Sequence, residues 1–112
     1  MPIVRVESSI PLPPQTPYSA ALSDVVECMA SGLGARRDQV RAAFVAMDPA
    51  AVSINDQHGD GAPPWIIGWV YMNAARPDEQ RLAFVADMKA LLTRLYGVDG
   101  RFVFVYTVRL GG

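Results

Sequence analysis

Scarcities bound what this chain of 112 residues can be. It has one cysteine, Cys28, so no internal disulfide staples it, and a disulfide-built secreted scaffold is excluded. It has one histidine, His58, in a Gly-rich polar stretch, where a solvated loop residue is expected. No His, Cys or carboxylate spacing matches a metal-ligand set, and no Gly-rich phosphate loop precedes a helix-like segment; neither a metal nor another cofactor is expected. Charge is sparse: 19% of residues are charged, and ten Lys plus Arg against eleven Asp plus Glu leave a net charge of −1. That balance provides no electrostatic footprint for a nucleic acid or an anionic membrane surface. The longest apolar run, Trp65 to Met72, falls well short of the roughly 18 residues a membrane helix needs. Arg5 and Glu7 interrupt the first residues before a signal-like run develops, so a soluble, cytoplasmic protein is expected.

Apolar surface, in contrast, is plentiful. Half the chain, 51%, is hydrophobic, which is more than one small core readily hides and predicts a subunit interface.

Ile3 to Glu7 reads as a short strand, and Pro11 to Pro17, with four prolines, as an extended loop. A helix follows, with Thr16 as its expected N-cap and Pro17 at its first position. Its apolar face is Leu22, Val25, Val26, Met29 and Leu33, and Gly34 stops it. Cys28 on this helix reads as a small buried hydrophobe. Val40 to Met47 is strand-like, Asp48-Pro49 breaks it, and a short apolar patch runs from Ala51 to Ile54. Asn55 to Pro64 reads as a polar connection. The order then repeats: a strand from Trp65 to Met72, a helix from Pro77 to Leu95 with Phe84, Val85, Met88, Leu91, Leu92 and Leu95 on one face, Gly97 as its stop, and a strand from Phe102 to Val108.

An offset of 63 residues carries Ile3 onto Ile66, Gly34 onto Gly97 and Val40 onto Val103. The chain therefore reads as one domain, residues 1–112, of two tandem βαβ units, about 2–54 and 65–110. The expected class is α/β (α+β): a four-stranded mixed sheet with two helices on one face. The strands do not alternate apolar with polar residues, so something must cover the face opposite the helices, and other subunits are the expected cover.

Two further features narrow the reading. The chain opens Met1-Pro2-Ile3-Val4, and a proline in second place is small enough for the initiator methionine normally to be removed, leaving a free prolyl amine. The second helix begins within Ala75-Arg76-Pro77-Asp78-Glu79-Gln80-Arg81. With the tandem βαβ units, these resemble the tautomerase superfamily, which includes 4-oxalocrotonate tautomerase, macrophage migration inhibitory factor, malonate semialdehyde decarboxylase and the chloroacrylic acid dehalogenases. The length is similar to that of fused, two-unit members, which assemble as homotrimers. The resemblance implies that Pro2 is the catalytic amino-terminal proline and that Arg76 holds a substrate carboxylate. It implies that Phe104 and Tyr106 line the proline pocket of a neighbouring subunit. Arg41 matches the strand arginine of single-unit members, but in the first repeat, where it is expected to face the second-repeat start near Ile66, a site with no proline. The dehalogenase pattern asks for a second arginine shortly before Arg76 and an acidic residue near the C-terminus; Asn73 and a chain stopping at Gly112 argue against that reaction.

The chemistry fits those residue types. Enol–keto isomerisation needs a base with a pKa near the operating pH, and a protein α-amino group starts near 8 and falls when apolar walls and an arginine disfavour its ammonium form. An arginine at a helix N-terminus is poorly placed unless an anion joins it; pairing with Asp78 or Glu79 is the alternative. Tyr106 supplies a hydrogen-bond donor for an enolate oxygen, or packs at an interface. Phe104 supplies an apolar wall, as a core phenylalanine also would. The expected function is a cofactor-independent tautomerase of a small 2-oxo acid or phenylpyruvate-like compound. The alternatives are a decarboxylase or hydratase on the same scaffold, or a non-catalytic oligomeric binding module if Met1 is retained and the Pro2 nitrogen is an amide.

Overall fold

The computed structural model describes residues 2–73 and 76–110, apart from the side chain of residue 60. Met1, Ala75 of the Arg76 motif and the terminal Gly112 lie outside the described residues. Eight regular elements follow in order: β1 (Ile3–Ser8), α1 (Tyr18–Leu33), β2 (Arg41–Ala46), β3 (Ser53–Ile54), β4 (Gln57–His58), β5 (Ile66–Met72), α2 (Asp78–Tyr96) and β6 (Val103–Arg109), with short 3-10 turns between some of them. The main sheet has the order β2-β1-β5-β6. Each βαβ unit supplies a parallel pair, β1 with β2 and β5 with β6, and the two units meet antiparallel through β1 and β5.

Val4 and Val6 of β1, Ile66 and Val70 of β5 and Val103 of β6 face a core completed by Val25, Met29 and Leu33 of α1 and Phe84, Met88 and Leu92 of α2. Both helices thus cover one face, as their apolar spacing predicts. The helices run antiparallel: Asp24 reaches Arg94 at 3.7 Å, and Gln80 donates to the carbonyl of Gly32 at 3.3 Å. At this close approach a Cβ on Gly32 would lie 2.6 Å from Phe84 Cδ1, so glycine is the residue that lets the two helices touch. Each helix ends on a left-handed glycine, Gly34 at φ 68° and Gly97 at φ 67°, as expected.

Four local expectations are corrected. The first helix starts at Tyr18 with Pro17 as its N-cap and no side-chain cap bond; the Thr16 N–H instead closes a turn onto the Pro13 carbonyl. The Asn55 to Pro64 connection contains the β3–β4 hairpin, whose turn places Asn55 and Asp56 at φ 51° and 63°. Two consecutive left-handed residues suit an Asn-Asp pair, but strands of two residues leave no period to detect. Cys28 is partly rather than fully buried.

The fourth correction concerns the repeat. The offset of 63 holds for the helix stops and for β2 against β6, but not for β1 against β5. Ala42 pairs with Val4 and its counterpart Val105 pairs with Gly68, so Val4 corresponds to Gly68, an offset of 64, and Pro2 corresponds to the buried Ile66. An offset of 63 would place Val4 on Ile67 and turn its side chain to the opposite face, since one residue of slip inverts a strand.

The helix-free face carries Ile3, Arg5 and Glu7 of β1, Ile67, Trp69 and Tyr71 of β5, and Phe104 and Tyr106 of β6. Phe104 and Tyr106 stack with centroids 6.5 Å apart, and Trp69 adjoins Tyr106 at 5.3 Å. Both β6 rings are close to half exposed, at 45% and 47%, so the described residues of one chain leave this aromatic stripe largely open. Among the described residues, no helix is long and apolar enough to cross a membrane.

Candidate active site

The topology gathers one end of every main element at one edge of the molecule. β1 and β2 begin there, β5 and β6 end there, α1 ends there and α2 begins there. Pro2 stands at this edge, half-buried, and its carbonyl accepts from the Arg41 N–H at 3.1 Å. Ile3 pairs with Tyr71, so one further step of the antiparallel register sets Pro2 beside Met72. Met72 in turn pairs with Arg109, and the Leu110 N–H closes the ladder onto the Met72 carbonyl at 2.8 Å.

Met72 also lines a cavity of about 290 Å³ together with Arg76, Arg81, Thr107 and Arg109. Three arginines line this space, set between the end of the sheet and the first turns of α2. Asp78 lies 3.7 Å from Arg81 and therefore engages that arginine, not Arg76. Arg76 buries its Nε without a hydrogen-bond partner among the described residues. A buried N–H left unpaired costs roughly 1–3 kcal/mol, and three like charges around one small cavity repel, so the arrangement is relieved by an anion with several acceptor oxygens. The adjacent start of α2, with no side-chain cap at Pro77, adds unpaired backbone N–H groups of the same polarity.

Of the residues singled out from sequence, Pro2, Arg41 and Arg76 share this edge of the protomer. Arg41 lies on the edge strand β2, opposite Ile3, exposed and at the far end of the sheet from Ile66, which pairs with Ser8; within one chain it does not face the second-repeat start. Phe104 and Tyr106 are not brought to Pro2 within the chain. Tyr106 pairs with Trp69, three residues before the Met72 row, which is roughly 10 Å along the strand and about 10 Å across two strand spacings, and Phe104 lies farther still. Sequence reasoning missed Arg81, Thr107 and Arg109 as members of the arginine cavity. Arg81 stood in the quoted motif without a role, and Arg109 lies 33 residues beyond Arg76, a separation with no local signal.

Two titratable groups sit apart from this site. Burial, with a smaller contribution from Asp87, pushes the Cys28 thiol up to about 11, which keeps it protonated and unreactive at neutral pH. Burial also raises the Tyr96 phenol above its ordinary value, partly opposed by its hydrogen bond to Ser8 Oγ at 3.2 Å. His58 is exposed on β4, as expected for a solvated residue, and lies 3.8 Å from Asp56. No group of three or more His, Cys, Asp or Glu among the described residues is placed to hold a metal ion.

No family model matches the chain, and no curated protein matches it in sequence. Solved structures match it closely in shape. A protein crystallised after inactivation by 2-oxo-3-pentynoate superposes with a TM-score of 0.85 at 18% identity, over 96% of this chain and 85% of that one. The symmetric trimer of a wild-type fused 4-OT gives a TM-score of 0.84 at 16% identity, over 97% of this chain and 87% of that one. Macrophage migration inhibitory factor from Trichinella spiralis gives 0.75 at 16% identity, over 98% and 90%. At these identities the likeness establishes the fold: a four-stranded mixed sheet with two helices, the fold of the tautomerase superfamily.

Proposed function

We propose that this chain is a tautomerase-superfamily enzyme that interconverts enol and keto forms of a small 2-oxo acid without a cofactor, with Pro2 as its base. The observation that carries this reading is the position of Pro2, in register beside Met72, which lines the three-arginine cavity. In the proposed reaction the free prolyl amine takes the enol hydroxyl proton, and the prolyl ammonium so formed returns that proton to carbon 3 of the enolate as the C–O bond becomes a carbonyl, which regenerates the amine. Atoms and charge balance without an oxidant or reductant. The carboxylate of the substrate sits among Arg76, Arg81 and Arg109, with the Thr107 hydroxyl as a further donor. The same positive field disfavours the ammonium form of Pro2 and so favours its action as a base near neutral pH.

Phe104 and Tyr106 act from a neighbouring subunit in this reading, Phe104 as an apolar wall and Tyr106 as the hydrogen-bond donor to the enolate oxygen. Their exposure on an uncovered aromatic stripe supports an oligomer, and trimeric structures of fused 4-OT chains of the same fold make a homotrimer the assembly we propose. Arg41, exposed on the edge strand, serves substrate binding through its position beside Pro2. The free amine requires removal of Met1. Intact mass of native material, followed by ketonisation of phenylenolpyruvate monitored by ultraviolet absorbance, tests the reading: a methionine-free chain with catalysed ketonisation is expected, and retention of Met1 would falsify it.

A further inference from the structure

Glu7 sets a carboxylate on a face otherwise rich in aromatic and aliphatic side chains. It stands on β1, on the side away from the helices, and 26% of its side chain is exposed in one protomer. Burying a carboxylate costs more than burying an apolar group unless donors meet it, and here two do. Its Oε1 accepts from the Trp69 indole Nε1–H at 2.5 Å, and its Oε2 lies 3.8 Å from Arg5 Nε. The copies proposed to cover this face would strengthen the first bond, because excluding water lowers the local dielectric.

The bond acts directly on the indole. A tryptophan side chain has one donor, so a carboxylate that engages it selects one orientation of the ring. That ring is the cross-strand neighbour of Tyr106: Arg5, Trp69 and Tyr106 form one row across β1, β5 and β6. The Trp69 and Tyr106 centroids lie 5.3 Å apart with 30° between the ring planes, and Phe104, two residues back along β6, stacks on Tyr106 at 6.5 Å and 2°. Because β6 is the edge of the sheet, Tyr106 has a neighbouring strand on one side, and its hydroxyl makes no hydrogen bond among the described residues. Its placement therefore depends on two rings, and of these Trp69 is the one tied down by a polar bond.

We propose that Glu7 is a positioning residue for the reaction: by fixing the Trp69 indole it fixes the surface against which Tyr106 packs, and so holds the Tyr106 hydroxyl where an enolate oxygen in a neighbouring subunit's site gains charge. The inference rests on the role given above to Tyr106. Glu7 itself touches neither substrate nor Pro2. It acts on turnover through two aromatic rings, and the substrate carboxylate, held among the arginines, does not depend on it.

The test is ketonisation of phenylenolpyruvate by Glu7→Leu, which keeps the bulk and loses the acceptor, and by Glu7→Gln, which keeps an oxygen that accepts from the indole. Glu7→Leu is expected to lower kcat roughly tenfold through a misplaced hydroxyl and to change KM by less than about twofold. Glu7→Gln should recover most of the loss. In a Tyr106→Phe background Glu7→Leu should have no further effect, since the hydroxyl it positions is gone. Trp69→Phe, which removes the donor and leaves Glu7 charged, should lower kcat alike, and it decides the matter if light scattering shows that Glu7→Leu disturbs the assembly. A readout without activity accompanies these rates. The chain has two tryptophans, so the proton–nitrogen NMR spectrum has two indole N–H signals; Glu7→Leu should shift the one lost in Trp69→Phe and leave the other in place. A lowered rate in Tyr106→Phe with wild-type rates in Glu7→Leu and Trp69→Phe overturns the role of Glu7 alone. So does an equal loss in Glu7→Gln and Glu7→Leu, an undiminished loss in the Tyr106→Phe background, or an unmoved Trp69 signal. A wild-type rate in Tyr106→Phe, or no ketonisation by the wild-type chain, would instead sink the role of Tyr106 or the function proposed above, and this role with it.

Discussion

The Arg41 N–H donates to the Pro2 carbonyl at 3.1 Å, so the residue that ends the polar turn after the first helix pins the first described residue of the chain. The bond engages the carbonyl side of Pro2 and leaves its nitrogen out of the ladder. A proline suits this place because a β-strand start wastes no hydrogen-bond donor on it.

If Pro2 is the base, Pro2→Ala lowers the rate of phenylenolpyruvate ketonisation by about a hundredfold or more, the usual contribution of a positioned general base. Circular dichroism and oligomeric state are expected to stay the same. Treatment with 2-oxo-3-pentynoate, an acetylenic 2-oxo acid open to attack by an amine, should add its mass to the peptide beginning at Pro2. A rate unchanged in the variant would remove Pro2 from the mechanism.

Arg76→Ala is expected to raise KM for enol acids about tenfold or more and to change turnover of a neutral enol little, because the lost contact is with the carboxylate. Arg109→Ala should act in the same direction, since both side chains line one cavity. Equal losses on acid and neutral substrates would contradict the assignment. Product analysis by proton NMR in the same experiment distinguishes isomerisation from loss of CO2 or gain of water.

The aromatic stripe of Trp69, Phe104 and Tyr106 predicts how the chain associates. Tyr106→Asp places a charge on that stripe and is expected to convert the assembly to smaller species by light scattering after size-exclusion chromatography. Catalysis should fall with it, because Tyr106 and Phe104 serve the neighbouring site. An intact trimer in this variant would place the interface elsewhere.

Gly32→Ala sets two effects against each other. Replacing a glycine in the last turn of α1 stabilises by at most about 0.5–1 kcal/mol, while the new methyl, 2.6 Å from Phe84 Cδ1, forces repacking that costs roughly 1–3 kcal/mol. Since Phe84 is 1% exposed and has little room to turn aside, the clash dominates. Thermal denaturation should show a lower Tm, and an unchanged or higher one would mean that the helices separate freely.

Cys28 predicts a loss of stability at alkaline pH. Its folded pKa, about 11, lies above the ordinary thiol value of 9.0, so between these values the unfolded chain binds fewer protons than the folded one. The contribution is full below pH 9 and declines as pH rises toward 11. Urea denaturation at pH 8, 9.5 and 10.5 should show this decline, and Cys28→Ser should reduce it. Native protein at pH 8 should also react with iodoacetamide far more slowly than urea-unfolded protein.

Much of this molecule is legible in its sequence because the relevant signals are local. Apolar residues three and four apart mark α1 and α2, Gly34 and Gly97 mark their ends, and runs of β-branched and aromatic residues mark the four main strands. The tiny β3–β4 hairpin is illegible for the converse reason: two residues per strand carry no period. The match of β1 to β5 is misread by one residue for a subtler reason. Both strands are apolar on successive positions, so their pattern alone does not say which side chain faces the helices.

The candidate site divides along the same line. The sequence by itself determined that Pro2 opens a strand, that Arg76 precedes a helix and that the apolar supply exceeds one core, each a property of neighbours along the chain. Only the tertiary structure decided that Arg76, Arg81 and Arg109 surround one cavity, that Met72 stands between that cavity and Pro2, and that Phe104 and Tyr106 of the same chain lie too far from Pro2 to serve it. Those relations follow from strand order and register. A register is fixed by which side chains the whole core buries at once, so no local segment carries it.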